Sequence, residues 1–202
     1  MDSIDFTKFF WFFKPTEYSI TADKVVFSTC PGTDFWQRTY YGFRNDNAHS
    51  FVTKVEDTEF TFEVKAHFKL QKLFDQCGIV IYQNSDNWVK ASLEYDRENV
   101  SKLGSVVTNL GYSDWASTDV DSSITDVYYR LSRRGQDFCI DTSLDGEEYH
   151  LMRIFHMHKQ LSFVNVGVYA CSPNRSSVEA AFTNMSFSKC KWESFVGPDD
   201  KG

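Results

Sequence analysis

The chain has 202 residues, 24% of them charged and 42% apolar, with a formal net charge of −7. That balance lacks the basic footprint needed to hold nucleic acid or an anionic membrane surface, so neither partner is expected. The longest unbroken apolar run, Phe9 to Phe13, falls far short of the roughly 20 residues that span a bilayer. Aromatic residues reach 17%, with nineteen Phe, ten Tyr and five Trp. Such residues suit pleated sheets, where they fill a core or line a groove.

In chain order, a short turn of helix is expected near Phe6 to Phe10, and from there the apolar period is two. The clearest strand is 60–68. Phe60, Phe62, Val64, Ala66 and Phe68 share one face, and Thr61, Glu63, Lys65 and His67 share a wet one. Residues 78–83 and 88–95 form a hairpin around the turn cluster Asn84 to Asn87. Strands follow at 105–110, 127–133 and 137–142, then a tight turn at Asp145 and Gly146, then strands at 149–155, 161–170 and 179–189. Many short strands with regular turn signals predict an all-β sandwich of two antiparallel sheets. One domain is expected over 1–196, with a disordered tail at 197–202.

No apolar leader opens the chain, and the five cysteines (Cys30, Cys77, Cys139, Cys171 and Cys190) are odd in number and widely spaced. The expectation is a cytoplasmic protein with reduced, mostly buried thiols.

Several runs in order resemble one family. They are Gly32 to Arg38 (Gly-Thr-Asp-Phe-Trp-Gln-Arg), Cys77 to Tyr82, Asn87 to Lys90 with Leu93 and Glu94, and Tyr112 to Trp115. Tyr129 to Arg133, Ser143 to Gly146, and Val166 to Pro173 with Ala181 and Phe182 continue the series. Together they resemble the domain-of-unknown-function family numbered 1349, over roughly residues 9 to 190. The resemblance implies a concanavalin A-like jelly-roll sandwich of the lectin/glucanase superfamily, with one sheet curved around a concave face. Fold alone does not specify function, so a site must be argued from residues.

If Asn84 to Asn87 form the turn, Tyr82 lies opposite Trp88, Val80 opposite Lys90, Gly78 opposite Ser92, and Gln76 opposite Glu94. Alternation then puts Gln76, Tyr82, Trp88, Lys90 and Glu94 on one polar, aromatic face, with Val89, Ala91 and Leu93 toward the core. Trp36, Arg38, Tyr40, Trp115 and Arg130 are expected to extend that face. The expected ligand is a saccharide. Trp36, Trp88 and Trp115 would stack on it, and Gln76, Lys90, Glu94 and Arg130 would bond its hydroxyls. Lys90 with Arg130 would also favour an anionic group, such as a sugar phosphate.

Two alternatives stand beside this non-catalytic binding reading. Glu94-Tyr-Asp-Arg-Glu98 matches a glycosidase pattern, with Glu94 as a weak candidate catalytic carboxylate; a retaining mechanism needs a second carboxyl about 5–5.5 Å away. In that pattern Asp96 to Asn99 read as a turn. Alternatively, a flat aromatic face would serve a protein partner in a regulatory domain linked to metabolism. No cofactor is expected, since the phosphate-cradling glycine patterns and the G-x-S-x-G elbow are absent. No metal is expected either. His156 and His158 lack a third ligand, and Asn45 to Asn47, or Asp141 with Asp145, form no complete calcium loop.

Overall fold

The Asn84–Asn87 cluster turns the chain as its side chains dictate. The Asn84 Oδ1 accepts the Asp86 backbone N–H and the Asn87 side-chain amide, both at 3.0 Å. The strands leaving it pair Tyr82 with Trp88, Val80 with Lys90, Gly78 with Ser92 and Gln76 with Glu94, the register expected from the alternation. A computed structural model describes residues 4–69 and 71–194; the tail expected at 197–202 lies outside the described residues.

In chain order the strands are β1 (Phe9–Phe12), β2 (Tyr18–Ile20), β3 (Lys24–Ser28), β4 (Phe35–Gln37), β5 (Arg44–Asp46) and β6 (His49–Val55). They continue as β7 (Glu59–Phe68), β8 (Gln76–Asn84), β9 (Asn87–Arg97), β10 (Val100–Asn109) and β11 (Tyr112–Val120). The last are β12 (Asp126–Arg134), β13 (Asp137–Ser143), β14 (His150–His156), β15 (Val164–Cys171) and β16 (Glu179–Ser188). One seven-stranded sheet runs β1-β6-β15-β8-β9-β10-β11, and a second runs β14-β13-β12-β7-β16-β3-β2. The small β4–β5 ribbon stands apart. Every named pairing is antiparallel, as a jelly-roll sandwich requires.

The core fills the space between the two large sheets. Ile79, Ile81, Val89, Ala91 and Leu93 face Phe60, Phe62, Val64, Ala66, Leu131 and Phe182 within one buried cluster. The opposite face of β7 is less wet than its pattern predicts. Thr61 is fully buried, because its hydroxyl bonds Ser132 at 2.7 Å and accepts Lys191 N–H at 2.8 Å from the chain beyond β16.

Seven strands carry no clear sequence signal; three of them, β2, β4 and β5, are only three residues each. The expected helical turn forms as a 3-10 turn at Phe6–Lys8, capped by Asp5, and β1 takes its last two residues, Phe9 and Phe10. β3 is only five residues long, and β6 is buried on both faces along most of its length, so neither alternates clearly. β11 is a mostly exposed edge strand, with no core face to mark it. β9 also runs on to Arg97, so the turn expected from Asp96 shrinks to Glu98 and Asn99. All five cysteines are free. Among the described residues, no helix is long and apolar enough to cross a membrane.

At the centre of the first sheet Gly78 meets a close backbone: an added Cβ would sit 2.0 Å from the Ala91 carbonyl oxygen. Gly78→Ala should therefore lower the unfolding free energy by about 2–3 kcal/mol, the range of an overpacked core. Urea denaturation checks this; an unchanged midpoint would mean that the strands have room to spare.

Candidate functional site

The first sheet has a second apolar cluster on the side that faces away from the core. Val52, Val80, Tyr82, Trp88, Val106, Tyr169 and Cys171 gather there under Phe35 and Ala48. Phe35 is the wedge. Its ring stacks on Trp88 at 5.2 Å and on Tyr82 at 5.6 Å between centroids. The segment that carries it is tied down along its length. Asp34 N–H donates to Asn47 Oδ1 at 2.8 Å, and Asn47 N–H returns a bond to Asp34 O at 3.0 Å. Gln37 N–H donates to Ser113 Oγ at 2.9 Å, which pins the ribbon to β11.

This cover closes half of the expected ligand face and leaves the other half open. Trp88 is 0% exposed and its indole N–H bonds Ser85 O at 3.2 Å, so it packs and does not stack on a ligand. Tyr82 is likewise buried, with its hydroxyl on Asp46 at 3.2 Å. Arg38 braces the ribbon: it donates to Gly111 O at 3.0 Å and lies over the Tyr112 ring. Tyr40 is 92% exposed at the ribbon's tip, outside the cavity lining. Arg130 lies on the other sheet, since β12 belongs there. Its Nε donates to Glu63 at 2.8 Å and its guanidinium covers Tyr149 at 3.7 Å. The expected Lys90–Arg130 pairing is therefore not formed.

The open half is a cavity of about 460 Å³. Trp36, Gln76, Lys90, Glu94 and Trp115, all expected at the face, line it together. The ribbon adds Asp34, Tyr41, Phe43, Arg44 and Asn45. The loop before β8 adds Phe74, and the segment after β15 adds Pro173 and Asn174. Of these added residues, Asp34 falls in the motif run from Gly32 to Arg38 and Pro173 in the run from Val166 to Pro173; the others lie outside the motif runs. Phe74 is held in a strained conformation by its surroundings. It sits at φ +71°, unusual for a bulky residue, while buried Asp75 accepts the Gln71 and Lys72 amides at 3.2 and 2.8 Å.

The cavity floor is one hydrogen-bonded chain. Lys90 Nζ donates to Gln76 Oε1 at 2.6 Å and lies 3.8 Å from Asp34 Oδ1. The Tyr169 hydroxyl donates to the same Gln76 oxygen at 2.9 Å, and Gln76 Nε2 donates to Glu94 Oε2 at 3.0 Å. Burial raises the Glu94 carboxyl from an ordinary 4.5 to about 7; Lys90 opposes the shift, and Asp34 and Asp96 add to it. Glu94 is enclosed by protein on most sides, yet it keeps partial exposure through the cavity.

Several of the residues weighed as metal ligands have other partners. His156 Nδ1 lies 2.6 Å from Asp137, Asp46 holds Tyr82, and the Asn47 side chain bonds Asp34 and Gly32. The Asp145 carboxylate accepts the Glu147 and Glu148 amides at 2.8 and 3.0 Å in its loop.

Two antiparallel sheets, one with a recessed, aromatic-walled hollow on its outer side, define a concanavalin A-like jelly-roll sandwich. The chain belongs to the family described as "Protein of unknown function (DUF1349)", which matches residues 11–190. It is 31% identical over 176 residues to "Regulation of enolase protein 1" of Saccharomyces cerevisiae, covering 87% of each chain. A crystal structure of a functionally unknown protein from Saccharomyces cerevisiae aligns at TM-score 0.85 and 28% identity, covering 92% of this chain and 98% of that one. The GH43 BlXynB protein from Bacillus licheniformis aligns at TM-score 0.69 and 16% identity, over 95% of this chain and 38% of that one. The last likeness is one of fold alone.

A folded-state value near 7 for Glu94 against an ordinary 4.5 means that ionisation opposes folding. The stability present below about pH 4.5 is lost as pH rises through about 7. Glu94→Gln removes this penalty and keeps the acceptor for Gln76. The variant should gain roughly 3 kcal/mol on the wild type between pH 4.5 and 8. Denaturation midpoints of both proteins across that window check it; parallel curves would place the carboxyl in ordinary solvent.

Proposed function

We propose that this protein is a non-catalytic binding domain for a saccharide or similar small polar ligand, held in the cavity between the β4–β5 ribbon and the first sheet. The observation that carries the reading is the pairing of flat aromatic walls with a polar floor. Trp36, Tyr41, Phe43, Phe74 and Trp115 surround Gln76, Lys90 and Glu94 in a recess of a size that suits small ligands. Trp115 is 43% exposed at the mouth, so it is displayed without being needed by the core. A recess of this depth suits a small molecule better than the flat face expected of a protein partner. The sandwich likeness to a GH43 protein adds plausibility for a sugar and no more.

The test is a panel of mono- and oligosaccharides titrated against tryptophan fluorescence, backed by calorimetry. Saturable quenching is expected, and Trp115→Ala should weaken binding about tenfold or more while leaving the melting temperature nearly unchanged. A panel with no response would remove the reading.

One observation favours a second reading, glycoside hydrolysis. A carboxyl held near 7 in a cavity is poised to act as a general acid. Glu94→Gln separates the two readings. A binding domain keeps measurable affinity and has no turnover to lose, whereas a hydrolase would lose at least a hundredfold in rate on any sugar that it cleaves.

A further inference from the structure

The charged groups around the cavity narrow the ligand class, on the premise that the site binds a sugar at all. Three cations border it, and each is already committed. The Lys90 side chain is 4% exposed; it donates to Gln76 Oε1 at 2.6 Å and faces Asp34 at 3.8 Å. Arg44 donates through Nε to Gln37 Oε1 and through Nη2 to Asp86 Oδ1, both at 2.9 Å. Lys102, which lines a small adjoining recess with Trp115, bonds Asp119 and lies 3.6 Å from Asp96. Arg130, a fourth cation expected at the site, stands on the other sheet with Glu63. A phosphate or carboxylate entering the cavity would meet Arg44 only at the guanidinium edge not spent on Gln37 and Asp86; deeper in, it would lie beside Asp34 and Glu94 or have to draw buried Lys90 from its partners, and both are unfavourable.

Acceptors with spare capacity also line the cavity. Among the described residues, the only side-chain hydrogen bond to Glu94, which lines the cavity, comes from Gln76 to Oε2, so Oε1 has no side-chain donor. Asp34 spends Oδ1 on the Phe35 amide and on Lys90 and keeps Oδ2. Asn174 donates its amide to Leu73 O and keeps its side-chain oxygen. Acceptors of this kind take hydroxyl protons, and the aromatic walls take the apolar face of a ring. We propose that the cavity selects an uncharged, polyhydroxylated ring, a neutral saccharide, and rejects phosphorylated or carboxylated counterparts of the same sugar.

The experiment titrates the full chain with neutral disaccharides of glucose, galactose and mannose. The matched 6-phosphates and uronates are titrated alongside, at low salt and pH 7.5. The neutral member of each responding pair should bind at least tenfold more tightly. Asp34→Asn keeps the acceptor for the Phe35 amide but releases Lys90, so it should raise the affinity for the phosphorylated member at least tenfold. Equal or tighter binding of anionic members by the wild type, falling steeply with added salt, would overturn the selectivity and leave the sugar-binding reading standing. Silence from both series would instead remove the sugar-binding reading, and this inference with it.

Discussion

A lysine ammonium in the middle of a β-sheet, almost wholly shielded from water, must find its partners in the protein. Removing such a charge from water costs several kcal/mol, and leaving it without a partner costs about 3–5 kcal/mol. Lys90 is in this position, and much of the site is arranged around it. Its strand neighbours supply one partner, Gln76, on adjacent β8. The carboxylate must come from outside the sheet, and the segment after β3 brings it by crossing the sheet's outer side. Asp34 reaches Lys90 as Phe35 wedges onto Trp88 and Tyr82. The cover that buries those aromatics also builds the cavity wall. Gln76 then has one orientation that satisfies its neighbours. Its carbonyl faces two donors, Lys90 and Tyr169, and its amide faces two acceptors, Glu94 and Phe74 O.

Backbone strain collects around the same hollow. Phe74, Arg38 and Tyr40 all hold positive φ without being glycine, at about 1–3 kcal/mol each. Surrounding bonds hold two of them in place. Phe74 N–H donates to Tyr95 O at 2.8 Å, and Arg38 N–H donates to Phe43 O at 2.8 Å as its guanidinium grips Gly111 O. Walls built in this way are set before any ligand arrives, so less ordering cost falls on binding.

The sequence is most readable where local chemistry decides the outcome. The β8–β9 register follows from a turn cluster and a clean alternation, and the structure has the same pairs. Alternation assigns a side chain to one side of its strand, but it does not say whether that side is covered or which sheet owns the strand. Trp88 shows the first limit: it lies on the expected side, under Phe35. Arg130 shows the second, since β12 pairs with β7 and β13 in the other sheet. Tyr41, Phe43 and Asn45 come from a ribbon without apolar period, and their place over the sheet depends on long-range bonds to Ser113 and Asp86 that no local pattern records.

Binding and catalysis differ here in what the second carboxyl is free to do. A glycosidase needs one acid to donate a proton and another to attack, or to activate water. Glu94 has the environment of the first. Asp34, the other carboxyl that lines the cavity, is held on one oxygen by the Phe35 amide at 2.7 Å and by the nearby Lys90 ammonium. Freeing it for chemistry would strip Lys90 of its only carboxylate partner among the described residues and loosen the ribbon that closes the site. The arrangement therefore leaves the second carboxyl one free oxygen, Oδ2, and ties the other to the ribbon and Lys90, which favours holding a sugar over cutting one.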